Sequence, residues 1–400
     1  MGDRSQIGAL PDLPVDRRTV LRTAGTVALA LPLTRAATAL GLDDELARRP
    51  RLGARIRELM DVARVPGLAF AVTRGNEVAW TSALGFANVH KQRRATPDTP
   101  FMLASVSKTV TGVAAMQAVQ DGLVDLDTDV DDVLPWSLRN PEHPNDPITL
   151  RQLLTHTSSM RDDWSVYSRF YTRGDSPVPL GGFLRRCLTS DGDLSGRWFQ
   201  PVRPGRRYRY CNQGVALAGF IVEAASGTPF DTWCEDRIFD PLGMRATSWH
   251  LAGLRREKVA MPSRWDGPDD WTAYGQYGYP DYPDGQLRSS ARSLARFLAA
   301  FVGFGRSAHG VRILDRDLAR HMRREQVPSL EYGQGLIWYR IAMRGRTVLG
   351  HTGGDSGVST RMFLRPADRR GSLVLANGDP RGLAGYRALR TIQGLLLDEG

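Results

Sequence analysis

The sequence predicts an α+β fold: one antiparallel sheet built from both chain ends and flanked by helices, with a mostly helical region inserted between its two halves. Three observations carry this expectation. A helix and a β-hairpin pattern come first, four β-rich runs and a helix come last, and segment 126–284 between them mixes helical patches with loops rich in Pro, Gly, Trp and Tyr.

Taken in order, residues 44–63 are rich in Arg, Leu, Glu and Ala and read as a helix, ended by Val65-Pro66-Gly67. Runs 68–73 and 78–84 read as strands joined through Arg74-Gly75-Asn76-Glu77. Residues 105–121 read as a helix because Val106, Val110, Val113 and Met116 recur at three- and four-residue intervals and Gly122 supplies a stop. The middle segment contains Tyr274-Gly275-Gln276-Tyr277-Gly278-Tyr279-Pro280, a loop of the kind that borders a cleft. A helix is predicted over 290–301, strands over 335–342, 347–350, 359–364 and 372–376, and a closing helix over 383–397. Residues 40–125 and 285–400 would then form the sheet domain, 126–284 the helical, loop-rich region, and the whole a single unit.

Composition narrows the function classes. Four hundred residues at 42% hydrophobic and 24% charged suffice for a large core. The 41 Gly and 24 Pro show no period, which excludes a collagen-like chain. The longest uncharged apolar stretch, 23–34, is short of the ~20 residues a spanning helix needs, so no stable membrane insertion is expected. A net charge of +10 suggests nucleic acid, but all but three of the 53 basic residues are Arg, the exceptions being Lys91, Lys108 and Lys258. They are scattered among 43 acidic residues without a block of like charge, so nucleic acid is not an expected partner. Cys187, Cys211 and Cys234 lack C-x-x-C spacing, and the seven His include no H-x-H or H-E-x-x-H pair. No metal and no cofactor are expected; the expected partner, which follows from the resemblance described below, is a small-molecule or short-peptide substrate.

Residues 1–39 read as an export signal. Arg17-Arg18 and Arg22 precede an uncharged run at 24–33 and then Ala37-Thr38-Ala39, a cleavage-type tripeptide. Eight Arg-Arg pairs occur in the chain, so the pair alone decides nothing; only this one is followed by an apolar run and such a site. The paired arginines make the signal twin-arginine-like and the expected location periplasmic or extracellular.

The chemistry centres on Ser105-Val106-Ser107-Lys108. Positions three apart on a helix share a face, so the hydroxyl and the amine can enter one cavity. A serine needs a base beside it, and a desolvated Lys whose pKa has fallen can serve as one. Downstream, Tyr210 and Asn212 precede an apolar helix at 215–225; a phenol and an amide two apart can supply a second proton-transfer group and a substrate hydrogen bond. Gly350-His351-Thr352-Gly353-Gly354 follows, with glycines that permit close backbone approach to a ligand. Two rivals fail. Gly354-Asp355-Ser356-Gly357 imitates a trypsin-like nucleophile loop, but that fold is all-β. Lys108-Thr109 imitates a phosphate loop, but no glycine lies between Asn88 and Lys108.

In this order, Ser105/Lys108, Tyr210/Asn212 and His351/Thr352/Gly353 resemble the serine β-lactamase and penicillin-binding protein superfamily, most closely its class C-like branch. The stretches 148–159 and 283–290 are similar to the family's flanking text, and the resemblance covers about residues 50–397. It implies a β-lactamase/transpeptidase-like fold and a serine hydrolase that cleaves an ester or amide through a covalent acyl-enzyme, of the D,D-carboxypeptidase, D-aminopeptidase or esterase type. A β-lactamase proper, or a penicillin-binding sensor without turnover, are the alternatives. Ser105 would be the nucleophile, Lys108 and Tyr210 the proton-transfer pair, and Asn212 the substrate-orienting amide. The N–H groups of Ser105 and Gly354 would form the oxyanion hole, with His351, Thr352 and Gly353 binding substrate. His351 stands where true lactamases usually carry Lys, and no Glu-x-x-Leu-Asn motif is present, which points away from class A.

Overall fold

In the computed structural model, which describes residues 44–194, 197–268, 270–327 and 333–399, the two ends of the chain meet in one seven-stranded sheet. The export-signal reading of residues 1–39 lies outside the described residues. The strand order is Tyr339–Met343, Arg346–Asp355, Val358–Arg365, Arg370–Ala376, Gly67–Arg74, Glu77–Asn88, Arg93–Arg94. Every neighbouring pair is antiparallel. The N- and C-terminal halves join where Leu68 pairs with Ala376 and Arg74 with Arg370.

Side-chain alternation explains why the central strands read as continuous apolar runs. In Gly67–Arg74, Leu68, Phe70 and Val72 face a core shared with Ile56, Leu59, Leu389 and Ile392 of the helices Pro50–Ala63 and Gly382–Glu399. Ala69 and Ala71 face the opposite core, with Phe297, Leu298 and Phe301 of the helix Ala291–Val302. A strand covered on both faces has no polar side to reveal its period. The hairpin turns at Gly75, whose φ of 59° is a left-handed value that glycine adopts without strain.

Four elements differ from expectation. The first helix is two, Asp44–Ala47 and Pro50–Ala63, because Pro50 lacks an N–H and disfavours helical geometry at Arg49. The helix expected over 105–121 starts as a 3-10 turn, Ala104–Ser107, and becomes α-helical only over Lys108–Gln120. The strand expected over 335–342 begins at Tyr339, after an irregular stretch in which Ile337 takes a φ of 68°. The strand expected over 347–350 runs Arg346–Asp355, so His351, Thr352 and Gly353 lie inside a strand.

Helix Lys108–Gln120 carries no charge beyond Lys108, and its residues 108–118 are all buried. A helix apolar all round belongs at the centre of a domain. It packs against the equally apolar helix Asn212–Ser226, which brings the inserted region onto the sheet domain. The inserted region holds the helices Leu150–Leu154, Trp164–Tyr167, Leu180–Leu188, Asn212–Ser226 and Phe230–Cys234 among short strands. Two pairings position the site. Pro100–Met102 pairs with Arg288–Ser290, and Leu103 N–H donates to Leu287 O at 2.8 Å, so the chain entering Ser105 lies beside the turn at 281–285. Among the described residues no helix is long and apolar enough to cross a membrane.

Candidate active site

Ser105 sits on the 3-10 turn, directly after Ala104, which is held at a φ of 46°. A non-glycine residue in the left-handed region persists only where its surroundings enforce it. Here the enforcement is visible: Thr360 Oγ1 donates to Leu103 O, and Gly353 leaves no room for a side chain. A Cβ on Gly353 would lie 2.4 Å from Leu103 O and 3.0 Å from Ser105 N. The glycine therefore lets the strand Arg346–Asp355 press against the backbone at Ser105.

Lys108 follows one helical turn on and is fully buried. Its ammonium donates to Ser105 Oγ at 3.1 Å, Asn212 Oδ1 at 2.7 Å and the Asp284 carbonyl at 2.6 Å. The Asp284 carboxylate lies 3.7 Å away. Three acceptors match the three protons of an ammonium. Burial pushes the Lys108 pKa down, but the Tyr210 phenol and the Asp284 carboxylate push it up further, and it ends above its ordinary value. This corrects the expectation of a Lys made basic by desolvation: the neighbours outweigh burial, and Lys108 is a fixed cation.

Tyr210 faces the same pair, its ring centroid 5.2 Å from Lys108 Nζ. Burial raises the phenol's pKa; Lys108, and hydrogen bonding with Ser105 and Lys108, pull it back without cancelling the rise. The imidazole of His156 packs against the Tyr210 ring at 4.6 Å, and its Nδ1 accepts the Cys211 N–H at 3.3 Å. Burial and Lys108 hold His156 well below its ordinary pKa, so it is neutral and holds the Tyr210 loop in place.

Asn212 opens the helix Asn212–Ser226, and its amide is held from both sides. Oδ1 accepts from Lys108, while Nδ2 donates to Asp162 at 2.9 Å. Asp162 also accepts the backbone N–H of Asn212 at 2.8 Å and of Gln213 at 3.1 Å, so a carboxylate sits on the positive end of the helix. The second Nδ2 proton stays available to a ligand.

His351, Thr352, Gly353 and Gly354 line one cavity with Ser105, Tyr210 and Asn212, of about 1190 Å³. His351 Nδ1 lies 2.6 Å from Thr352 O, so the proton is on Nδ1. Burial, aided by Lys108, depresses its pKa to about 3, which makes it a neutral imidazole and leaves no cation at this position. Thr352 N–H donates to Tyr339 Oη at 3.0 Å, and Arg361 pairs across the sheet with Thr352 and lines the cavity. The position a Cβ would take on Gly354 is open.

Sequence reasoning missed Asp162, His156, Asp281, Asp284 and Asp355. Asp284 and His156 stood inside the flanking stretches that resemble the superfamily, and so carried a signal; Asp162 and Asp355 carried none. Asp281 and Asp284 share one turn, and burial together with Asp284 raises Asp281 well above the usual carboxylate range. Asp281 thus keeps its proton and donates it to Asp284, which stays the partner of Lys108. Among the described residues no cluster of His, Cys, Asp and Glu could hold a metal, and all three cysteines are free and buried.

Residues 52–395 match the family model described as Beta-lactamase. The chain is 27% identical over 323 residues to penicillin-binding protein 4 of Amycolatopsis lactamdurans, covering 78% of this chain and 81% of that one. It is 26% identical to penicillin-binding protein 4* of Bacillus subtilis over 75% of this chain, and spans 65% of that protein's length. The fold is that of D-amino acid amidase from Ochrobactrum anthropi SV3, solved with D-phenylalanine, at a TM-score of 0.68 and 22% identity over 88% of this chain and all of that one. A family match that spans residues 52–395 of the 400 places this chain in the β-lactamase family of serine hydrolases.

Proposed function

We propose that this chain is an exported serine hydrolase that cleaves an ester or amide through an acyl-enzyme on Ser105, of the D,D-carboxypeptidase, D-aminopeptidase or esterase type. The observation that carries the reading is Lys108 Nζ at 3.1 Å from Ser105 Oγ, with Tyr210 over both and a cavity in front of them. Export rests on the Arg17-Arg18 signal pattern.

Because Lys108 has three acceptors and a raised pKa, it serves as the cation that stabilises Tyr210 when it ionises, and the minor ionised form of Tyr210, whose pKa lies above the ordinary phenol value, is the base. Ser105 Oγ bonds to the acyl carbon as its proton passes to Tyr210 Oη. The developing oxyanion is received by the N–H groups of Ser105 and Gly354, each such donor being worth roughly 3 kcal/mol. The bond to the leaving group breaks as Tyr210 returns the proton to it. Water then attacks the acyl carbon, gives a proton to Tyr210, and the Oγ–carbon bond breaks as that proton goes back to Ser105. The products are a carboxylic acid and an alcohol or amine. The neutral His351 offers no cation to a substrate carboxylate, which counts against a lactamase proper and, within this reading, favours the D-aminopeptidase or esterase type.

Labelling tests it. A fluorophosphonate or a fluorescent penicillin should label the parent and leave Ser105→Ala unlabelled, and hydrolysis of aryl esters should continue past one equivalent. Labelling of Ser105→Ala at another serine refutes the assignment; a single-turnover burst makes the protein a sensor.

A further inference from the structure

We propose that the cleft beyond Gly354 recognises a protonated amine on the acyl part of the substrate, held by the Asp355 carboxylate and the rings of Tyr171 and Tyr277. The inference rests on the hydrolase reading above and narrows its substrate class.

Asp355 ends the strand that presses on the nucleophile, two residues beyond Gly353. At about 3.3 Å per residue it lies about 7 Å along the strand from the Ser105 backbone, within reach of an amine a few bonds from the scissile carbonyl. Its carboxylate accepts the Ser356 N–H at 2.7 Å, and both oxygens lie a long 3.4 Å from Tyr171 Oη. The Tyr277 hydroxyl bonds to it as well, so three donors meet a carboxylate with about four lone-pair positions, and one position remains on a group that lines the cavity. The strongest charge acting on it is a like charge, Asp284, and burial with that repulsion raises its pKa to about 7. Asp379, which also lines the cavity, is engaged by Gly357 N–H at 2.8 Å and Tyr274 Oη at 2.9 Å.

The walls suit a cation. The Tyr171 ring lies 5.7 Å from that of Tyr277 and 5.1 Å from that of Tyr279, so the two tyrosines that bond to Asp355 belong to a cluster of three aromatic rings lining the cavity. Faces of such rings attract ammonium groups, most strongly where water is excluded. The placement of the proton donor says which half of the substrate lies here. The Tyr210 and His351 ring centroids lie 6.1 Å apart, so a group that Tyr210 protonates has the His351 and Thr352 end of the cavity beside it. The proposal puts the leaving group there and the acyl half past Gly354, toward Asp355.

The test compares racemic alanine 4-nitroanilide with its N-acetyl derivative, on the full chain and on Asp355→Asn. The parent should prefer the free amine by about tenfold or more in kcat/KM, and Asp355→Asn should lose that preference by slowing the free-amine substrate alone. Equal or better use of the N-acetyl substrate by the parent, or equal slowing of both by the variant, overturns the proposal while the hydrolase reading stands. The parent comparison decides alone where the variant does not fold. Should neither anilide be cleaved, calorimetry with benzylamine and benzyl alcohol at pH 8 decides without chemistry. Tighter binding of the amine by about tenfold, lost in Asp355→Asn, supports the site, and equal or absent binding overturns it.

Discussion

Asp162 holds Asn212 at two points, accepting its backbone N–H at 2.8 Å and its Nδ2–H at 2.9 Å, and thereby aims Oδ1 at the Lys108 ammonium. A residue 50 positions earlier in the chain thus sets the orientation of the amide that accepts from Lys108.

Asp162→Ala should therefore act on two readouts. It strands three buried N–H groups, and unmade hydrogen bonds of this kind cost about 1–3 kcal/mol, so thermal denaturation should show a loss of at least about 2 kcal/mol. With Asn212 free to turn, the labelling rate of Ser105 should fall by about tenfold or more. An unchanged labelling rate in folded variant would sever the link from Asp162 to the catalytic pair.

Lys108→Met keeps the length of the side chain and removes its charge. The Ser105 labelling rate should fall by about 10²–10⁴-fold, the range for a lost proton-transfer partner. Stability should fall as well, because the change leaves the buried Asp284 carboxylate unpaired, and breaking a buried pair costs about 3–5 kcal/mol. A variant that labels at the parental rate removes Lys108 from the mechanism.

His351 should leave no trace in the pH profile. With its pKa depressed to about 3, it is neutral throughout the assay range, so with an uncharged aryl ester, which makes no demand on Asp355, kcat/KM should rise toward alkaline pH with Tyr210 ionisation and show no limb near 6.5. His351→Gln should keep the shape of that profile. A limb near 6.5 that this change abolishes contradicts the assignment. His351→Lys should shift preference toward substrates with an anionic leaving group, and an unaltered substrate profile would remove His351 from substrate recognition.

Asp355 should make the folded protein less stable as pH rises. Its folded pKa is raised to about 7 from an ordinary 3.8, so the folded state binds the extra proton between these values. Stability from this group is full below pH 3.8 and is lost as pH climbs through 7. Asp355→Asn lacks the titration, so its melting temperature relative to the parent should increase from pH 4 to pH 8. A constant difference across that range would show that the carboxylate is solvated.

Much of the architecture could be read along the chain, for local reasons. The hairpin, the closing strands and the apolar central helix are patterns of nearest neighbours, and the double-sided burial of Gly67–Arg74 turned its alternation into an apolar run that still reads as a strand. Where expectation slipped, the cause was equally specific: Pro50 divided a helix, and the close approach of Gly353 tightened the start of another into a 3-10 turn. Ser105 and Lys108 were legible because three-residue spacing alone puts them on one face.

The chain by itself thus determined which reactive groups exist, and that Ser105 and Lys108 point the same way. Tertiary structure decided the state of those groups. Asn212 and Asp284, 104 and 176 positions from Lys108, supply two of its three acceptors, and Tyr210 and Asp284 keep it an ammonium, where local reasoning expected a desolvated amine. Charge state depends on burial and on Coulomb attraction that falls off with distance in space, and neither is a function of distance along the chain.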